Sequence, residues 1–337
     1  MNTKSDGFMR IGIVMGDPSG IGPEVALKAI RFVDWNANSC PILIGSRDVF
    51  QREINRLNLP THLSCEENSA SPDGVRLVES VREEVNRFPY GKPSKQSGQA
   101  SYNSILMAVE LAASGSLDAI VTSPISKSAF GLAGVEFPGH TELLAQLTKA
   151  PRYAMMLAAG KLKVTLVTTH MALSQVGTQI TAGTVFDKIE LSAIFLSHYL
   201  KLQSPTIGVC ALNPHAGEGG KFGTEEKEIA EAVRDANNSA IKAEGPLPAD
   251  SLFAHWQKYD CVVSCYHDQG LIPVKMLAFD TAVNVTLGLP IVRTSPDHGT
   301  AFDIAGEGKA NPDSMIEAIK LARKMVLAGR VEWKRKK

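Results

Sequence analysis

Short apolar runs of β character alternate with amphipathic segments along most of this 337-residue chain, and no other feature constrains its fold as strongly. RIGIVM precedes PEVALKAIRFV, CPILIG precedes SRDVFQREINRL, and LDAIVTSP follows SYNSILMAVELAAS. Farther along, IGVCALN precedes TEEKEIAEAVRDA, and CVVSCYH precedes DQGLIPVKML. Strand and helix in turn predict an α/β fold with a mostly parallel sheet covered by helices. The chain is long for one core, so two domains are expected. The polar stretch FPYGKPSKQSGQ reads as a long loop, and NPHAGEGGKFG and GTAFDIAGEGKANP as Gly-rich ones. The last helical segment, PDSMIEAIKLARKMVLAG, is framed by Pro312 at its start and Gly329 beyond its end.

Charge excludes some partners. Lys plus Arg and Asp plus Glu both number 35, so no net field favours nucleic acid or a membrane surface. The basic end Lys334–Lys337 reads as a solvated tail. No apolar stretch approaches the roughly 18 residues that span a bilayer, and the N-terminal segment lacks the apolar core of a secretion signal. The five cysteines include no C-x-x-C pair, and Cys210, Cys261 and Cys265 lie in apolar runs. They read as reduced core residues of a cytoplasmic protein.

Three of the apolar runs lead into a histidine: VTLVTTH ends at His170, IGVCALNPH at His215, and CVVSCYH at His267. Ligands of α/β proteins bind outside the carboxyl ends of the strands, so three imidazoles placed there can converge. Three neutral imidazoles with an open fourth position suit a catalytic zinc or another borderline divalent ion. A single histidine at a strand end is more simply a capping or hydrogen-bonding group. Three in the same position favour the shared site.

Other motifs carry candidate chemistry. GDPSGIGPE joins a strand to a helix, but Val25 stands where a dinucleotide fingerprint has its third glycine, so its glycines can equally serve a tight turn. Gly217, Gly219 and Gly220 follow His215 and would let backbone N–H groups approach an anion or cofactor; a plain surface loop is the alternative. FPGHTELL opens a helix with His140 and Thr141, where unpaired N–H groups suit a phosphate or carboxylate. Lys275, Asn284 and Arg293 follow His267, and an arginine in so apolar a strand pair has few uses except a ligand. Asp250 in GPLPADS and Asp268 beside His267 could complete or support a metal shell.

GDPSGIGPE, TSPISKSA, FPGHTELL, TTHMAL, LNPHAGEGG, GPLPADS, YHDQGLIPVK, VNVTLGLPIVRTS and DHGTAFDIAG, in this order, resemble the 4-hydroxythreonine-4-phosphate dehydrogenase family over residues 10–325. The resemblance implies an isocitrate/isopropylmalate dehydrogenase-like fold of two α/β domains with a cleft between them. We expect residues 1–135 with 295–337 to form one domain. Residues 136–294 would form the other and carry most ligands and a homodimer interface. It implies one divalent ion (Zn, Mg, Co or Mn) held by His170, His215 and His267 in a site shared between subunits. It also implies substrate contacts from His140, Thr141, Lys275, Asn284 and Arg293.

The implied reaction oxidises the C3 hydroxyl of 4-phosphooxy-L-threonine with NAD or NADP. Loss of CO2 then gives 3-amino-2-oxopropyl phosphate, a step towards pyridoxal phosphate. Lys275 could anchor charge or shuttle a proton, and Asp250 and Asp268 are the other candidate catalytic groups. Gly217, Gly219 and Gly220 are the candidate cofactor contacts. The same residues could serve 4-phospho-erythronate, 4-phospho-threonate or a cis-dihydrodiol dicarboxylate. A non-redox phosphate acyltransferase is a more distant alternative.

Overall fold

The first apolar run folds as strand β1 (Met9–Val14), with Ile11, Ile13 and Val14 fully buried. It is followed by β2 (Ser39–Ser46), β3 (His62–Ser64), β4 (Gly74–Val81) and β5 (Ala119–Thr122). Next come β6 (Ala154–Ala159), β7 (Leu162–Leu166), β8 (Thr206–Cys210), β9 (Lys242–Leu247), β10 (Cys261–Ser264) and β11 (Val283–Leu287). The last strand is β12 (Val292–Pro296). The structure, a computed structural model, describes residues 8–35, 38–64, 74–137 and 139–329. The basic segment Lys334–Lys337 and the first seven residues lie outside that set.

The chain divides into two compact units. One runs through Lys149 and resumes at Pro290–Leu327, and the other is Ala150–Leu289. By this division His140, Thr141 and Arg293 belong to the first unit, and the three metal-candidate histidines to the second.

In the first unit the strand order is β3-β4-β2-β1-β5-β12, with neighbouring strands paired in parallel. Its central strands are apolar on both faces, as a sheet covered on both sides requires; all four residues of β5 are buried. Strand β12 sits beside β5 with Arg293 opposite Ile120 and Thr294 opposite Val121. Because side chains alternate, this register puts Arg293 on the same face as Ile120 and Thr122.

The second unit is ordered β11-β6-β7-β10-β8-β9. Strands β7, β10, β8 and β9 are parallel, whereas β6 runs antiparallel to both β7 and β11. The sheet is therefore mixed here, with Gly160 at positive φ in the connection between β6 and β7. Leu157, Leu162, Val164, Leu166, Val262 and Val274 belong to its core.

Helix boundaries follow local chemistry. Ser94 and Ser97 form a reciprocal capping box, so helix Lys95–Ala113 begins inside the stretch read as a long loop, and KQSGQ is its first turn. Thr181 and Thr184 do the same for Ala182–Tyr199. The final helix is Asp313–Ala328, between Pro312 and Gly329 as its sequence signals require.

Candidate active site

The three histidines follow three adjacent parallel strands. β10 lies between β7 and β8, and the chain leaves their carboxyl ends through Val167–Thr169 to His170, through 265–266 to His267, and through 211–214 to His215. His170 and His267 come together, ring centroids 5.7 Å apart and tilted by 42°. His267 is the first residue of helix His267–Ala278, and its Nδ1 is 2.7 Å from Asp268 Oδ1. That contact turns Nε2 away as the ring atom able to take a metal.

His215 begins a left-handed stretch. His215, Ala216, Gly217, Glu218 and Gly219 all have positive φ, a conformation that disfavours each non-glycine residue by roughly 1–2 kcal/mol. The loop is tied down by Asn213, whose N–H donates to Glu226 (2.8 Å) and whose side chain donates to Glu225 (2.9 Å) and Glu226 (3.1 Å). Gly217 is buried, and a Cβ there would meet Glu226 Oε2 at 2.7 Å, whereas Gly219 and Gly220 face open space. Gly217 thus has a packing reason of its own.

Among the described residues no three His, Cys, Asp or Glu side chains form a ready-made metal cluster. The donor chemistry nevertheless fits a divalent ion: two exposed or half-exposed imidazoles are paired, a third stands at the next strand end, and a carboxylate orients one ring. Asp250 is exposed in the first turn of the short helix Ala249–Ala254. Lys275 Nζ lies 5.2 Å from the centre of the Phe279 ring. Asn284 is half-buried on β11, opposite Leu157 of β6.

In the first unit the decisive side chain is Arg293, only 2% exposed. Its Nε and Nη2 both donate to Thr122 Oγ1, at 3.2 and 2.8 Å. Burial pulls its pKa down to about 9, and the charge of Glu142 opposes that fall. His140 opens helix His140–Leu147 after Gly139, which supplies no side-chain cap. Burial and the Arg293 charge hold His140 well below the usual histidine range, so it is neutral. Thr141 is buried. His140 Nε2 and Glu142 Oε2 are both shielded from solvent without a hydrogen-bond partner among the described residues. A buried cation, a neutral imidazole and a helix N-terminus suit an anion.

The family described as "Pyridoxal phosphate biosynthetic protein PdxA" matches residues 37–322. The 4-hydroxythreonine-4-phosphate dehydrogenase of Geobacter metallireducens is 45% identical over 325 residues, 94% of this chain and 95% of that protein. The chain belongs to this family. The D-threonate 4-phosphate dehydrogenase of Cupriavidus necator is 42% identical, over 94% of this chain and 97% of its own. A solved 4-hydroxythreonine-4-phosphate dehydrogenase from Klebsiella pneumoniae has the same α/β fold, with a TM-score of 0.82 and 38% identity, covering 95% of this chain and all of that one.

Two family-motif segments hold residues that sequence reasoning left without a role. Thr122 opens TSPISKSA and Glu142 follows His140 by two residues; the signal available was a polar residue at the end of an apolar strand. GDPSGIGPE, in contrast, is filled by protein. Gly16 has φ +74, and a Cβ there would stand 2.4 Å from Pro124 O, so the close approach glycine permits is to the chain's own backbone. Asp17 beside it is buried, accepting from Ser19 N (2.9 Å) and Ser97 Oγ (3.3 Å), and burial pushes its carboxyl up to about 6.

Proposed function

We propose that this family member is an NAD(P)-dependent, metal-dependent dehydrogenase that oxidises 4-phosphooxy-L-threonine at C3 and decarboxylates the product to 3-amino-2-oxopropyl phosphate. The observation that carries the reading is the match to named 4-hydroxythreonine-4-phosphate dehydrogenases over nearly the whole chain, joined to a buried arginine in an otherwise uncharged strand pair. Arg293, His140 and Thr141 bind an anionic end of the substrate, and Lys275 and Asn284 contact it as well. His170, His215 and His267 hold one divalent ion, with Asp268 orienting His267. That ion, when bound, lowers the pKa of a chelated hydroxyl and polarises a ketone. Gly219 and Gly220 offer open backbone to hold a nicotinamide cofactor, which would supply the hydride acceptor. Lys275 holds charge or moves the proton, with Asp250 the other candidate acid–base group.

The working enzyme is a homodimer in the cytoplasm. Helix His267–Ala278 supports this, because Ile272, Met276 and Leu277 on it, and Phe279 just after it, are more than half exposed. An apolar group of that kind usually marks an interface. Cys40, Cys210, Cys261 and Cys265 are free thiols, and no described helix is long and apolar enough to cross a membrane.

A second reading has its own support, since the Cupriavidus necator relative is named for D-threonate 4-phosphate. Parallel steady-state assays with 4-phosphooxy-L-threonine, D-threonate 4-phosphate and D-erythronate 4-phosphate, with metal and either nicotinamide, decide between them. The first substrate should have the highest kcat/KM. A preference for either sugar-acid phosphate would replace the proposed substrate, and absence of reduced nicotinamide with all three would remove the dehydrogenase reading.

A further inference from the structure

We propose that Thr122 is a positioning residue for the substrate-anion clamp: its hydroxyl fixes the rotation of the Arg293 guanidinium. The inference rests on the reading of Arg293 as an anion-binding residue and names what aims it. Thr122 Oγ1 accepts from two nitrogens of Arg293, Nε at 3.2 Å and Nη2 at 2.8 Å, and both residues are buried. Two donors on one acceptor fix the plane of the fork, which one bond would not. An arginine binds a phosphate or carboxylate best with two parallel N–H groups, so the orientation of that plane decides whether the anion is met in bidentate fashion.

The geometry follows from strand register. Arg293 pairs with Ile120, and Thr122 lies two residues on, on the same face of β5. Thr122 is itself anchored at the strand end: it pairs with Val14 of β1, the next residue's N–H donates to Val14 O (3.1 Å), and Pro124 O accepts from Asp17 N (2.9 Å). The hydroxyl is thus held by backbone on the strand at its side and by the turn after it. A β-branched side chain has few rotamers open to it, which suits an acceptor whose position must not drift.

The test compares Thr122→Val, Thr122→Ser and Arg293→Ala in the full-length enzyme, reading kcat, KM for the phosphorylated hydroxy acid, competitive inhibition by inorganic phosphate, and Tm. Thr122→Val should lower kcat/KM about tenfold, chiefly through KM, and weaken phosphate inhibition in parallel. Thr122→Ser, which keeps the acceptor, should return both to within about threefold of wild type at matching Tm. If the valine protein does not fold, Thr122→Ala removes the hydroxyl without added bulk and takes its place. Wild-type kcat/KM in the hydroxyl-free variant, against a loss in Arg293→Ala, would overturn the role of Thr122 alone. Equal impairment of the serine and valine variants would overturn it too, because the hydroxyl would not be what matters. Unchanged phosphate inhibition in Arg293→Ala would instead overturn the clamp reading and the inference with it.

Discussion

The rings of His170 and His267 stand 5.7 Å apart at the carboxyl ends of the neighbouring parallel strands β7 and β10. Two imidazoles this close, without a set of three His, Cys, Asp or Glu donors fit to hold an ion among the described residues, do not make a metal site within one chain. In the proposed dimer the set is completed between subunits, with His267 coming from the partner. Mixing inactive His170→Ala with inactive His267→Ala protein should then restore part of the activity through hybrid dimers, since each hybrid keeps one intact site. Subunit exchange shown by mass spectrometry without any recovery would mean that each site is built from one chain. Separately, His215→Ala should abolish metal-dependent turnover while circular dichroism stays unchanged.

Arg293 should show activity and stability pulling in opposite directions. Its guanidinium is almost fully buried, and burial opposes its charge. A methionine has similar length and no desolvation penalty. Arg293→Met is therefore expected to lower kcat/KM at least tenfold, roughly 1.4 kcal/mol or more of transition-state binding. Its Tm should hold or rise by a few degrees, about what 1 kcal/mol does in a chain of this size. Arg293→Lys should recover part of the activity only, because a point charge cannot reproduce a planar fork. A collapse of Tm in Arg293→Met would show that the arginine serves the fold.

His140 should make the protein acid-sensitive. Its pKa is held below the ordinary 6.5 in the folded chain, so the unfolded chain takes up a proton first as pH falls. Stability is complete above about 6.5 and declines as pH drops below it. His140→Gln, which cannot titrate, should lose less stability than wild type on going from pH 7 to pH 5. Identical losses would mean that His140 is not held neutral by its surroundings.

The placement of the three histidines was legible because each follows a run such as VTLV, IGVC or CVVS, whose β-branched residues suit a strand buried on both faces. Strand β6 was not, since AMMLAA has no β-branched residue, lacks alternation and has strong helix formers; it is a strand because β7 and β11 flank it. The first turn of Lys95–Ala113 was hidden in a polar stretch, where only the Ser94–Ser97 pair marks a helix start. Arg293 stood out as a charge among apolar residues. Thr122 did not, because its role depends on the pairing of β5 with β12, 171 residues apart in the chain. Residues that act through non-local register leave no local signal. The same holds for GDPSGIGPE, whose Gly16 lies tight against Pro124 and whose Gly20 lies tight against Thr300.

Asp17 gives a second pH dependence, opposite in sign to that of His140. Its carboxyl is fully buried at the β1 turn and accepts from Ser19 N and Ser97 Oγ, yet desolvation outweighs both bonds and raises the pKa from 3.8 to about 6. The folded chain therefore holds this proton more tightly than the unfolded one. As pH rises from about 4 to about 6 the unfolded state loses the proton first, so stability falls across that window and the penalty is complete above it. The two-unit shift corresponds to about 3 kcal/mol as an upper bound. Asp17→Asn keeps an oxygen for Ser19 N and offers an N–H to Ser97 Oγ, without a charge to bury. Its Tm should match wild type near pH 4 and exceed it by several degrees at pH 7.5. A gain that is the same at both pH values would point to packing, and a loss at pH 7.5 would show that the turn requires the carboxylate itself.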